Sequence, residues 1–368
     1  MVRQGLGAAY AILKNDLRLN LVRPFATVIT LVVPINFLIL FVLFAIGGAK
    51  VPVGVVSAGS GHYGPAMVQA LGSALTFRIQ NVPSVQAGMA LIQAHHSVAT
   101  IQVPPGFSSA IAHGKTASLP LTLNNLNHDF ADDVRRALPL AILNFFHTNF
   151  PQTIPIRWQE LDSYKHNVSF VGYLAVSVQT VALLIGGLLF GGRGAARDWE
   201  RGTMKELMLA PIPPWSIVLG KLAAGMVNGL LSSGLILVVL LLLGIRPIAW
   251  GQLIGVMVIT LFVFVSLGVA LGSLVKSQFI VVPFAFALGL PLFFISGAFG
   301  PISWSTPAAA MIARVFPVVY ANAAFQHAVH GYWPIDTSPP WLWTILSAWA
   351  VAALAISWFV YRRATTAH

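Results

Sequence analysis

Long apolar runs without a charged residue restrict the fold of this chain more than any other feature. Six of them contain no Asp, Glu, Lys or Arg, at 25–49, 166–192, 222–245, 247–275, 277–313 and 337–360. A helix needs roughly 20 apolar residues to cross a bilayer. Because the chain is also 57% hydrophobic and only 8% charged, we predict a mainly α-helical membrane protein with six transmembrane helices.

The first run is predicted to be a retained transmembrane helix at 24–49, since its 25 residues exceed the apolar core of a signal peptide, about 7–15 residues. Residues 1–23 before it carry apolar positions near helical spacing with basic residues between them. This pattern predicts an amphipathic helix on the cytoplasmic membrane surface. A simple extension of the first crossing is the alternative.

Basic residues are distributed unequally between the two sides of the predicted topology. Six crossings put both termini on one side, and the short loops of the other side hold only Arg246 and Arg314. Twelve lie on the side of the termini: Arg3, Lys14, Arg18, Arg23, Arg193, Arg197, Arg201, Lys205, Lys221, Lys276, Arg362 and Arg363. The positive-inside rule therefore predicts cytoplasmic termini. The net charge of +11 fits this unequal distribution of basic residues. We therefore expect no nucleic-acid partner.

Residues 50–165 differ from the rest of the chain. Short β-branched runs at 51–56 and 98–103 alternate with helical patterns at 66–75 and 132–147. We predict an α/β domain inserted between helices 1 and 2, which the topology places outside the cytoplasm. Without any cysteine, it has no disulfide framework.

Residues 166–361 are predicted to hold transmembrane helices 2–6. Between helices 5 and 6, the segment at about 298–336 carries Pro301, Pro307, Pro317 and Pro334. We expect it to re-enter the outer leaflet as short helices, because irregular backbone at membrane depth needs protein or water around it.

The central parts of the six crossings lack the ionisable groups on which ion-coupled carriers and pumps depend. The nearest approach to a phosphate-binding loop, SSAIAHGKT at 108–116, lacks the first glycine. We find no catalytic motif and expect no cofactor or metal site in this chain. Its energy source should therefore lie in another protein.

Charge is instead concentrated in the loop 193–220, where seven of the 31 charged residues fall between Arg193 and Glu206. Thr203 and Glu206 have the spacing of a capping box, in which both side chains bind backbone N–H groups at a helix start. Pro211, Pro213 and Pro214 follow. We predict a short helix at about 203–209 with a charged rim that includes Arg197 and Asp198.

The order of residues in this loop resembles the cytoplasmic coupling segment of ABC-2 type transporter permeases. The resemblance rests on Glu200, Gly202, Thr203, Glu206, Leu207, Ala210, Pro211, Trp215, Gly220 and Lys221. It continues in VPVGVV, in VPPGFSSAIAHGKTASLPLTLNN, and in ISGAFGPIS followed by FPVVYANAAF, which are similar to the branch with a large extracytoplasmic domain. Asn124 and Asn125 stand where that branch often has an acidic residue.

The resemblance implies a multi-pass subunit of an exporter in the bacterial inner (plasma) membrane. Separate ATP-binding subunits would carry ATP and Mg²⁺, and a second permease subunit, identical or a close paralogue, would complete the path. A periplasmic adaptor and membrane lipids are further candidate partners. The coupling residues implied are Arg197, Glu200, Gly202, Thr203, Glu206, Leu207 and Pro211.

Polar residues within apolar runs are candidates for the translocation path, namely Asn36, Gln179, Thr180 and Asn228. Such side chains also serve as hydrogen bonds between helices. The expected cargo is a drug-like, amphipathic or lipidic compound. Two other functions stay open: a membrane enzyme or ion-coupled carrier that needs no ATPase, and an assembly that transmits force or signal without transport.

Overall fold

The computed structural model describes residues 2–22, 24–47, 50–57, 61–94, 96–124, 128–151, 168, 170–302 and 305–366. The predicted boundaries at residues 23, 49, 165 and 166, and Asn125, lie outside these ranges. The chain divides into two compact units, one formed by 1–42 with 164–368 and the other by 43–163.

Fourteen helices and four strands make up the described residues. The helices are α1 (Val2–Val22), α2 (Phe25–Gly47), α3 (Tyr63–Ser73), α4 (Val85–Gln93), α5 (Phe107–Ala112), α6 (His128–Asn149), α7 (Phe170–Glu200), α8 (Thr203–Leu209), α9 (Pro214–Leu242), α10 (Trp250–Val275), α11 (Gln278–Phe294), α12 (Pro307–Ala313), α13 (Pro317–His330) and α14 (Pro339–Thr366). The strands are β1 (Val51–Ser57), β2 (Phe77–Val82), β3 (Ala99–Val103) and β4 (Leu121–Leu123).

Four helices of the first unit are long and apolar enough to cross a membrane, namely α7, α9, α10 and α14. Up to six spans result if two bent helix pairs, α1 with α2 and α12 with α13, each count as one. Helix α11 has only 17 residues. The protein is therefore a multi-pass membrane protein, and the number six stays a prediction.

Helix α7 forms the centre of the first unit and is almost entirely buried. It packs closely against α10 through glycines four positions apart, Gly187 and Gly191 on α7 and Gly268 and Gly272 on α10. A Cβ atom on Gly268 would lie 2.7 Å from the carbonyl oxygen of Leu188, which is too close for any side chain. Small residues at this spacing let two apolar helices bring their backbones together.

The N-terminal helix α1 packs along α9. Gly5 and Ala9 of α1 are buried in this contact, and a Cβ atom on Gly220 of α9 would lie 2.9 Å from the carbonyl oxygen of Ala9. The predicted amphipathic helix is therefore present, and its buried face lies on protein. Whether α1 also touches the membrane surface stays a prediction.

Two short helices occupy the segment predicted to re-enter the membrane. Helix α13 is buried along nearly its whole length and packs against α7, α10 and α14. Pro307 and Pro317 each start a helix. Proline is favoured at this position because the N–H group that it lacks would have no hydrogen-bond partner within the helix. The two short helices are as expected, and their depth in a membrane stays a prediction.

The second unit is built on a four-stranded sheet in the order β2-β1-β3-β4. Strand β1 is parallel to β2 and β3, and β4 pairs antiparallel with β3. Valines of β1 and Ile101 of β3 pack with Phe77 and with Val134 of α6 in one core. The predicted strands at 51–56 and 98–103 and both predicted helices are confirmed. The elements β2, β4, α4 and α5 were not predicted from the sequence.

Candidate functional site

Helix α8 covers the segment predicted at 203–209. Gly202 precedes it with a φ of 77° in the left-handed region, which glycine adopts without the steric cost that a Cβ atom brings. Pro213 and Pro214 then start α9, because a proline at the first helical position loses no hydrogen bond. The chain therefore leaves α7, makes one short helix and enters α9 within fourteen residues, 201–214.

The predicted capping box is wrong. Gly202, and not Thr203, occupies the N-cap position, and no side chain caps the helix. The hydroxyl of Thr203 instead donates to the carbonyl and carboxylate oxygens of Asp198, each at 3.4 Å. Because the chain turns at Gly202, the helix begins one residue earlier than the capping-box pattern predicts, and Thr203 is already inside it.

One face of α8 is held by the protein and the other is open. Met204 is buried, and the Tyr361 hydroxyl of α14 lies 3.9 Å from its sulfur atom. Leu207 and Met208 pack at the edge of the same core. The open face, together with the turn that follows it, carries exposed side chains of three kinds, basic, acidic and apolar: Lys205, Glu206, Leu209 and Pro211. Leu209 is 86% exposed.

A buried ionic cluster lies where α1, α7 and α9 meet. The ammonium group of Lys221 is 2.8 Å from the carboxylate of Asp16 and 2.6 Å from that of Asp198. The side chains of Asp16 and Lys221 are only 2% and 4% exposed. Because α8 is tied to Asp198 through Thr203, the cluster connects α8 with three longer helices. Asp16 is the only acid among residues 1–23.

Arg197 extends the cluster. Its guanidinium lies 3.8 Å from Asp16 and donates to the side-chain oxygen of Asn20 at 2.7 Å. The prediction that Arg197 and Asp198 form an exposed rim is wrong, since both are buried. Helix α7 continues past the predicted end of the second crossing, to Glu200, and this extension carries both side chains under α8.

Glu200 contacts another helix of the same chain. One of its carboxylate oxygens accepts hydrogen bonds from the backbone N–H of Gln278, at 3.1 Å, and from its side-chain amide, at 2.9 Å. Gln278 is the first residue of α11, where a negative charge is favourable against the helix dipole. Glu200 therefore fixes α11 to the end of α7, whereas Glu206 stays exposed.

The four candidate path residues do not share one environment. Asn36 is exposed. Gln179 donates to the carbonyl of Ser233 at 3.2 Å, and Thr180 donates to the side-chain oxygen of Asn322 at 3.1 Å. Asn228 donates to Ala224 within its own helix at 2.8 Å. Gln179 and Thr180 thus join neighbouring helices, and a role of any of the four in transport stays a prediction.

A profile described as "ABC-2 family transporter protein" matches residues 25–359. The chain belongs to the ABC-2 transporter family. This ABC-2 permease is thereby a multi-pass membrane subunit of an ABC transporter. The membership covers α2 to α14 and so includes both units.

Two curated relatives of this ABC-2 permease carry the same name. The probable multidrug ABC transporter permease YbhR of Escherichia coli strain K12 is 21% identical over 221 residues, which are 57% of this chain and 59% of that protein. The protein of that name from E. coli O157:H7 gives the same values. The match thus spans about three fifths of the relatives' length. No solved structure gives a significant match.

Proposed function

We propose that this ABC-2 permease is one half of the translocation path of an ATP-driven exporter. The observation that carries the proposal is α8, a short helix with its inner face fixed to the protein and an exposed mixed face. Such a surface, with an apolar centre and charged neighbours, has the composition of a protein contact. A helix of seven residues is unstable alone, so its support must come from the rest of the protein.

The partner at α8 is proposed to be a separate ATP-binding subunit. ATP binding would move α8, and the buried cluster under it would pass the movement to α1, α7 and α9. A ligand shifts such an equilibrium only through contacts that differ between two states. Ion pairs and close helix contacts suit this purpose, because they transmit displacement with little deformation.

Membership of the ABC-2 family supports the proposed subunit arrangement and orientation. Two permease subunits, identical or paralogous, would form the path in a bacterial plasma membrane, with α8 and both termini in the cytoplasm. The second unit would then lie outside, where a periplasmic adaptor is a candidate partner. A drug-like, amphipathic or lipidic cargo is supported by the name of the two relatives, which calls them probable multidrug permeases.

Reconstituted export with the ATP-binding subunit tests this function. Glu206→Arg reverses a charge on the exposed face of α8, and Gly202→Trp disturbs its start. Both variants should abolish ATP-dependent export and weaken co-purification of the ATPase. Arg246→Gln, which removes an exposed charge elsewhere, should preserve both. Export by the purified permease without any ATPase would support the carrier hypothesis and overturn the proposal.

A further inference from the structure

A cavity of about 610 Å³ in the first unit has no role in the function described above. It lies between the end of α7, the start of α11, the last part of α1 and the start of α2. One wall is apolar and includes Phe25, Phe279 and Pro283. Another wall is basic and carries Arg193, Arg197 and Arg201, with Glu200 beside them.

The three arginines follow each other at intervals of four residues, so they share one face of the chain as α7 ends. Three guanidinium groups and one carboxylate leave this wall with a net charge of +2. The Glu200 carboxylate already accepts two hydrogen bonds from Gln278. Arg197 is held by Asn20 and Asp16. The remaining basic groups are therefore available to an anion.

Arg193 gives a second, independent observation that points to an anionic ligand. Its Nε and Nη1 atoms are buried, and neither has a hydrogen-bond partner among the residues that the structure describes. The guanidinium lies 4.6 Å from the centre of the Phe25 ring, which attracts the charge but satisfies none of the N–H groups. A buried charged donor without an acceptor is costly. An oxyanion in the cavity would supply the acceptor.

The position of the cavity along the sequence indicates the kind of anion. Phe25 opens the first apolar run, Arg193 follows the last residue of the second, and Gln278 is the second residue of the fifth. All three elements thus change from polar to apolar sequence at the cavity. In a bilayer this change falls at the head-group level.

We propose that the cavity binds the phosphate of an anionic phospholipid, with its acyl chains along the apolar wall. Guanidinium groups match phosphate oxygens through paired hydrogen bonds. Phe279, which is 83% exposed in the protein, would lie against the acyl chains. The volume is in the range that protein sites for small molecules occupy, roughly 300–1,000 Å³.

Binding can be measured on the full chain in nanodiscs of phosphatidylcholine, into which phosphatidylglycerol is titrated. Native mass spectrometry counts the bound phosphatidylglycerol, and thermal unfolding reports the stabilisation that it gives. Wild-type protein should retain phosphatidylglycerol and unfold at a higher temperature as its fraction rises. Arg193→Gln should bind it about tenfold more weakly, as expected when a charge-assisted hydrogen bond is lost.

Arg246→Gln is the matched control, because it removes one exposed arginine charge at another end of an apolar run. It should bind phosphatidylglycerol like the wild type. In phosphatidylcholine alone, Arg193→Gln should unfold at or above the wild-type temperature, since it removes two buried nitrogens, Nε and Nη1, that have no acceptor among the described residues. This second measurement separates lost binding from lost folding.

Three results would overturn the proposal. Equal binding by Arg193→Gln and wild type would show that the cavity does not hold the lipid. Equal retention of phosphatidylcholine and phosphatidylglycerol would show that the cavity does not select a lipid by the charge of its head group. Stabilisation by inorganic phosphate alone, without phosphatidylglycerol binding, would assign the cavity to a soluble anion.

Discussion

The ammonium group of Lys221 lies 2.8 Å from the carboxylate of Asp16, a residue 205 positions earlier in the chain. The contact joins α9 to α1, and both side chains are nearly completely buried. A buried ion pair need not stabilise a protein compared with apolar residues, but removing one partner leaves an uncompensated charge. The pair therefore fixes the position of α1 against α9, the helix that follows α8 in the chain.

Replacing Lys221 with methionine should lower the free energy of unfolding by about 3–5 kcal/mol. The carboxylates of Asp16 and Asp198 would then lose the cation that they share. Denaturation in mixed micelles measures the loss. Arg246→Gln serves as the control and should stay within about 0.5 kcal/mol of the wild type, as exposed substitutions usually do.

A double-mutant cycle with Asp16→Asn tests whether the two residues act as a pair. Residues in contact show non-additive effects of about 0.5–3 kcal/mol. Asp16→Asn combined with Lys221→Met should therefore cost less than the sum of the single substitutions. Strict additivity would contradict the cluster.

The left-handed backbone of Gly202 gives a second prediction. Gly202→Ala should destabilise the start of α8 by about 1–2 kcal/mol, because an L-residue is strained at this φ. No heavy atom would lie within 4 Å of the new Cβ atom, so the loss comes from backbone strain and not from a steric clash. Gly7→Ala, at an equally open and exposed position inside α1, should gain about 0.5–1 kcal/mol. Thermal unfolding of both variants measures these changes. Equal stability of the two variants would contradict the left-handed backbone assigned to Gly202.

The candidate path residues can be separated by their surroundings. Thr180→Val removes a buried hydrogen bond to Asn322 and should cost about 0.6–2 kcal/mol. Asn36→Ala should leave stability unchanged, because Asn36 is exposed. If Asn36 lines the path, this variant changes the relative export rates of a panel of fluorescent amphiphiles. Unchanged rates would remove Asn36 from the path.

The sequence predicted elements whose signal is local, and it missed contacts between distant segments. Apolar runs and β-branched runs showed where α7, α9, α10, β1 and β3 lie, because burial imposes those patterns directly. The strand β4 has three residues and carries almost no periodic signal.

The buried cluster illustrates what local patterns leave out. Asp16, Asp198 and Lys221 each lie near a predicted boundary, where a charge is expected in water. Only the packing of α1 on α9 and the extension of α7 to Glu200 bring them together. The single acid in the basic segment 1–23 was the one sign of this cluster in the sequence.

The central claim is that α8 contacts an ATP-binding subunit, and site-specific cross-linking tests it most directly. The chain has no cysteine, so Leu209→Cys places one thiol at the open face of α8, and Leu75→Cys places another at an equally exposed position of the second unit. In membranes that contain the ATPase, Leu209→Cys should cross-link to a protein that photoaffinity ATP analogues label, and Leu75→Cys should not. The reverse pattern, or no ATP-binding protein captured at Leu209→Cys, would contradict the account.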